Sequence, residues 1–140
     1  MREALGNSML FNIVIVFIVA VIGIVIGYAS YTKAYRIKNM IINTIEEKGK
    51  YDKDVSDIID NRLNEIGYRT STKKECPKQE NCGEVTYVKP NYHYCVYTCS
   101  TKNGVYYRVN SYAYFDVPII GDNFELPVYG ETRIFYNSIN

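Results

Sequence analysis

Residues 10–28 read LFNIVIVFIVAVIGIVIGY, and this stretch decides how the chain is organised. It contains 19 residues and no charge, and Asn12 is its only strongly polar member. As a helix it would be about 28 Å long, close to the ~30 Å hydrocarbon core of a bilayer. Its Leu, Ile, Val and Phe residues together favour insertion by about 4–8 kcal/mol. We therefore expect a short N-terminal tail at 1–9, a transmembrane helix at 10–29 and a displayed domain beyond it.

The alternative for this stretch is a cleaved signal peptide. Arg2 would then be the charged end, and Gly27-Tyr28-Ala29 would supply the small-x-small cleavage site. The length of the apolar run favours an anchor.

The composition limits what the remaining residues can be. Some thirty of the 140 residues belong to the anchor, and the remainder is enough for one domain with a modest core. A net charge of +1 gives no basis for binding nucleic acid. Fifteen Tyr and no Trp are more typical of a sheet-forming extracytoplasmic chain than of a metabolic enzyme.

The four cysteines are Cys76, Cys82, Cys95 and Cys99, all within 24 positions. In a small displayed domain this density favours two disulfides and an oxidising compartment. Free thiols and a zinc site are the alternatives, but the gaps do not match paired zinc ligands and His93 is the one histidine.

The orientation of the anchor is indicated by two opposing signals. Lys33, Arg36 and Lys38 follow the apolar run while only Arg2 precedes it, which by the positive-inside rule favours a cytoplasmic C-terminal domain. The cysteines and the strand-rich composition favour an extracytoplasmic one, and we give them more weight.

Residues 30–67 have the pattern of amphipathic helices. The helix of the anchor should continue to Lys48 and end at Gly49, with an apolar stripe formed by Ile37, Met40, Ile41, Thr44 and Ile45. A second helix should begin after Asp52 as N-cap and end at Gly67. Its apolar face would be Val55, Ile58, Ile59, Leu63 and Ile66, and its solvated face Asp57, Asp60 and Glu65.

Residues 68–140 change to an alternating pattern and should form a disulfide-bonded antiparallel sheet. Four strands are predicted, at Glu84–Val88, Tyr92–Ser100, Val105–Phe115 and Val128–Tyr136. Lys89-Pro90-Asn91 and Asn103-Gly104 provide the first two turns. With Asn103-Gly104 as the loop, opposed residue numbers sum to 207, so an apolar face with Tyr94, Val96 and Val109 would pack on the helices.

The register also predicts the disulfides. Cys95 and Cys99 are four residues apart on one strand, about 13 Å if extended, which is too far for a bridge. Folding the first hairpin about Pro90 places Cys82 opposite Cys99, which leaves Cys76 for Cys95.

Small residues at spacings of 3 and 4 form one stripe of the long helix. We call this set the small-residue stripe: Ala20, Gly23, Gly27, Ser30 and Ala34. Gly23 and Gly27 form a G-x-x-x-G pair, which allows helices to approach closely in a membrane. The alternative is that small residues are simply common in membrane helices.

This layout resembles type IV pilin-like proteins, and among them the small Tad-type pseudopilins. The C-terminal pattern AYFDVPIIGDNFELPVYGETRIFY, residues 113–136, also resembles the closing hairpin of such proteins. The resemblance implies peptidase cleavage after a glycine, for which Gly6 is the candidate. The fifth residue after Gly6 is Phe11, where the family has a glutamate that pairs with a neighbouring N-terminal amine. This departure favours a minor pilin or an unprocessed relative over a major pilin.

The sequence offers no nucleophile elbow and no glycine-rich phosphate loop. We therefore expect an α+β, pilin-like, non-enzymatic subunit of a surface filament or secretion-type assembly, without cofactor or metal. Its partners would be the membrane and, through the helix, copies of itself or other pilin-like subunits. A monomeric membrane-anchored binding module is the alternative.

Overall fold

The structure of the protein is a computed structural model that describes residues 2–68, 75–85, 94–115 and 124–136. In chain order it comprises α1 (Arg2–Lys48), α2 (Lys53–Ile66), β1 (Cys82–Val85), β2 (Tyr94–Thr101), β3 (Gly104–Phe115), β4 (Phe124–Glu131) and β5 (Phe135–Tyr136). The predicted α+β class is confirmed.

Helix α1 is one unbroken element of 47 residues, about 70 Å long. It begins at Arg2, so residues 2–9, predicted as a short N-terminal tail, belong to the same helix as the apolar run. The predicted end is confirmed. Gly49 has a φ of 71°, and its N–H donates to the Ile45 carbonyl over 2.8 Å.

Helix α2 has the caps that the sequence predicts. The Asp52 side chain accepts a hydrogen bond from the Val55 N–H at 3.0 Å, which satisfies one of the free donors of the first turn. Gly67 takes the left-handed conformation at φ 70°, where a glycine carries no steric penalty.

The sheet is antiparallel in the order β1-β2-β3-β4, and β5 pairs with β3 beyond the end of β4. Tyr94 lies opposite Ser111 and Thr101 opposite Gly104, so opposed numbers sum to 205 and the turn is Lys102-Asn103. The predicted sum of 207 is therefore wrong by two. Because the shift is even, each residue keeps its predicted face. Gly104 must close this turn because a Cβ there would overlap the Phe135 carbonyl oxygen, and its φ is 156°.

The predicted fourth strand, Val128–Tyr136, is divided into two. The pairing of β4 with β3 ends at Glu131, and β5 resumes it in a register shifted by one residue. Thr132 fills the break: its hydroxyl accepts from the Tyr107 N–H at 3.0 Å, and its own N–H donates to the Tyr107 carbonyl at 2.9 Å. A single side chain therefore replaces the missing ladder bond.

The main core lies where α1 and α2 cover one face of the sheet. The α1 stripe contributes Ile37, Ile41 and Ile45, all at most 1% exposed, and α2 contributes Val55, Ile59 and Leu63. The sheet contributes Tyr94, Val96 and Val109, on the predicted face. Ile58 and Ile66, predicted for the same face of α2, are only half-buried and exposed, respectively.

Candidate functional site

The first half of α1 extends beyond the rest of the structure. Every side chain from Gly6 to Ile26 is exposed, although most of them are large and apolar. By length and composition the helix can cross a membrane, and a signal sequence would meet the same description. Such a continuous apolar surface is not stable in water, so lipid or another protein must cover it.

The small-residue stripe is divided between this exposed half and the core. Ala20 and Gly23 are exposed, and a Cβ at Gly23 would meet no atom within 4 Å. Gly27 and Ser30 are half-buried. Ala34 is 1% exposed, so its expected place in a seam between molecules is wrong: it packs inside its own chain. The same stripe continues directly into Ile37, Ile41 and Ile45.

Small residues let the sheet approach α1 at Ala34. The Ser111 hydroxyl donates to the Ala34 carbonyl at 2.8 Å, and Ala34, Ala113 and Val128 form a small cluster. This bond explains how a hydroxyl can be buried on the core face of β3. Ser111 is two residues from Val109 and so shares its predicted face, but the sequence gives no indication of the helix carbonyl as its partner.

Further along α1, β4 approaches the helix through Gly130. A Cβ at Gly130 would lie 2.6 Å from both Ile42 Cδ1 and Lys38 Cδ. Lys38 is 8% exposed, and its Nζ lies 4.1 Å from the centre of the Tyr35 ring. Lys38 is not among the residues of the predicted apolar stripe, yet its stem packs in the contact while its charge lies on an aromatic face.

The disulfides join Cys76 to Cys95 and Cys82 to Cys99, as the hairpin register predicts. Their Cα atoms are 5.9 and 4.2 Å apart, and Cys82 lies directly opposite Cys99 on β2. All four sulfurs are therefore bonded and none is available as a thiolate for zinc. His93 and the predicted turn at 89–91 lie outside the described residues.

The bridges hold residues 75–82 against the outer face of the sheet. There Cys95, Tyr97, Cys99 and Tyr112 form a second buried cluster, and the Tyr97 hydroxyl donates to the Pro77 carbonyl at 2.5 Å. Arg108 donates to Gln79 at 2.6 Å. Tyr97 and Tyr112 therefore belong to the buried part of the domain.

One carboxylate of α2 lies in the core instead of on the solvated face. Asp60 was expected on the solvated face but is 4% exposed, because the Tyr94 hydroxyl donates to its Oδ1 at 2.9 Å. Burial raises the pKa of Tyr94 well above its ordinary value, so this hydroxyl remains a donor at neutral pH. The pair joins α2 to β2 within the core.

Gly6, the candidate processing site, is exposed within α1. No atom lies within 4 Å of a Cβ built there, so the chain itself does not cover the site. Within the described residues, no three His, Cys, Asp or Glu side chains are grouped to hold a metal ion.

Comparison with protein-family models, with curated proteins and with solved structures found no significant match to this chain.

Proposed function

We propose that the protein is a membrane-anchored, pilin-like structural subunit whose sheet domain lies on the extracytoplasmic side and whose helix packs in the core of a filament or secretion-type assembly. One observation carries the proposal. A single unbroken helix provides both the exposed apolar segment and the main stripe of the domain core. An assembly that binds the exposed half of α1 would therefore hold the sheet domain in a fixed position.

The small-residue stripe supports packing by the exposed half. In lipid, helices gain little from the hydrophobic effect when they associate, so close backbone contact at small residues decides whether they pack. Gly23 is open, and the same stripe packs closely against β3 and β4 one turn after Ser30. The exposed part of the stripe therefore offers a neighbouring helix a surface of small residues, and the buried part of the stripe already packs through such a surface within its own chain.

The disulfides support the extracytoplasmic side. Two bridges in one small domain require an oxidising compartment. Each can contribute about 2–4 kcal/mol to a domain of this size. A chain kept reduced would lose both constraints on residues 75–82.

The test replaces both glycines of the stripe, Gly23→Leu with Gly27→Leu. The matched control is Val25→Leu with Ala29→Leu, which places the same pair of leucines about 200° around the helix. Both variants stay apolar and long enough to insert. Crosslinking in membranes and electron microscopy of sheared surface fractions then measure assembly, and non-reducing peptide mapping checks the fold.

We expect the glycine variant to reach the membrane with both disulfides formed but not to assemble, while the control assembles like the wild type. Normal assembly by the glycine variant would refute the stripe as an interface. A wild type that is monomeric at all densities in the membrane would favour the binding-module alternative.

A further inference from the structure

Strand β4 follows α1 closely, and three contacts give its direction. The Arg133 N–H donates to Glu46 Oε1 at 2.8 Å, just beyond the end of the strand. Gly130 lies against Lys38 and Ile42, and Val128 packs with Ala34. Residues nearer the beginning of β4 therefore lie beside residues of α1 that are nearer the apolar run.

The spacing of these contacts locates the beginning of the strand. Two strand residues span about 6.7 Å and four helix residues about 6 Å, so the two elements advance together. Continuing from Val128 beside Ala34, Leu126 comes level with Ser30, and the backbone of Phe124 comes level with Ile26. The half-burial of Gly27 and Ser30, where the residues before them are exposed, agrees with this placement.

This end of the sheet thus overlaps the last turn of the apolar run. Leu126 is 38% exposed here, although it points to the same face as the buried Val128. Tyr28 and Tyr31 are exposed at the same level, and Lys33 and Arg36 are exposed just beyond it. Tyrosines are enriched at membrane interfaces, and lysine and arginine extend their charges into the headgroup layer.

We propose that the end of the sheet where β3 finishes and β4 begins rests in the interfacial layer of the bilayer, with Leu126 inserted beside Tyr28 and Tyr31. The occupant is lipid because this patch is continuous with the apolar surface of α1. The inference rests on the anchor in the proposed function and is independent of filament assembly. It fixes the depth of the domain, since α1 and the sheet form one packed body.

The chain contains no Trp, so a single introduced Trp reports its own depth. The test variants are Leu126→Trp, Val19→Trp in the middle of the apolar run, and Tyr136→Trp at the opposite end of the sheet, which is 74% exposed. Each full-length variant is reconstituted in phosphatidylcholine vesicles that contain lipids brominated at shallow or deep acyl positions. Peptide mapping confirms that both disulfides are present.

We expect Leu126→Trp to emit at shorter wavelength than Tyr136→Trp and to lose emission to shallow bromines. Val19→Trp should lose it to deep bromines, and Tyr136→Trp to neither. If Val19→Trp is quenched while Leu126→Trp behaves like Tyr136→Trp, the anchor stands and the interfacial contact is refuted. If Val19→Trp is not quenched, the anchor itself fails. The emission of Leu126→Trp could instead be shifted to shorter wavelength without quenching by shallow bromines, and the shift could disappear when more lipid dilutes the protein in the membrane. That result would assign the patch to contact with a second copy and overturn the proposal.

Discussion

Buried tyrosines connect the helices of this domain to its sheet. Tyr94 joins β2 to Asp60 of α2, and the Tyr68 hydroxyl bonds with the backbone of Tyr112 on β3 at 3.2 Å. Composition predicted a sheet rich in tyrosine, but it could not show which hydroxyls are buried. Asp60 illustrates the reason: by sequence it matches the solvated carboxylates around it, and only a partner 34 residues away makes its burial possible.

These tyrosines should make the fold sensitive to alkali. Burial raises the pKa of Tyr68 to about 12 and the pKa of Tyr112 to about 12. Burial also raises the pKa of Tyr94 well above its ordinary value. An unfolded tyrosine ionises near pH 10. Between about pH 10 and 12 the unfolded chain therefore holds fewer protons than the folded one, and the free energy of unfolding falls as pH rises.

The measurement is urea unfolding of the protein in detergent at several pH values. We expect constant stability from pH 7 to 9 and a decline above about pH 10. Tyr94→Phe should be less stable at pH 7 by about 1–3 kcal/mol, because Asp60 loses a donor, and should decline less steeply. Tyr136→Phe, at an exposed hydroxyl, is the control. An equal slope in the wild type and Tyr94→Phe would contradict the assignment.

At the scale of elements, the sequence predicts the boundaries of helices best, because individual residues near each boundary determine where the helix begins or ends. The start of α2 follows from the Asp52 side chain, which accepts a hydrogen bond in the first turn. The ends of both helices follow from Gly49 and Gly67, whose backbones take the left-handed conformation. The hairpin turn was misplaced by one position because Asn103-Gly104 is a strong turn signal, whereas Gly104 is needed here for its close contact with Phe135. The break between β4 and β5 could not be predicted, since a Thr in an alternating run reads as an ordinary strand residue.

Thr132→Val tests the role of this break. Valine keeps the shape but removes the acceptor of the Tyr107 N–H, so a partly buried donor loses its bond. We expect a loss of about 1–3 kcal/mol in the free energy of unfolding and faster amide exchange at Tyr107. Thr101 is the exposed last residue of β2, and its hydroxyl bonds with the Gly104 carbonyl and the Asn103 N–H beside the turn. Thr101→Val should cost less because water can replace these bonds. Equal losses in the two variants would show that Thr132 does not replace a ladder bond.

At the scale of the whole molecule, the buried contacts and the membrane-length segment hardly overlap. Side chains 6–26 are all exposed, and the core along α1 begins at Ala34 and ends at Ile45. The apolar run could be predicted from the sequence because it is continuous. The burial of Ala34 could not be predicted, because a small residue at helical spacing fits a membrane interface and a close sheet contact equally well.

This division predicts that the domain folds without the exposed half of the helix. A chain that begins at Tyr28 keeps about two helical turns before the Ala34–Ser111 hydrogen bond. Among the side chains at 6–27 whose burial the structure describes, it removes none that is buried. Produced in an oxidising compartment, it should be soluble, form both disulfides and unfold at the same denaturant concentration as the full chain. A chain that begins at Ile37 is the control: it lacks the Ala34 carbonyl, and its first turn has unsatisfied N–H groups beside the core, so it should be markedly less stable. If the chain from Tyr28 were as unstable as the one from Ile37, contacts of the first half of α1 would be part of the folded domain.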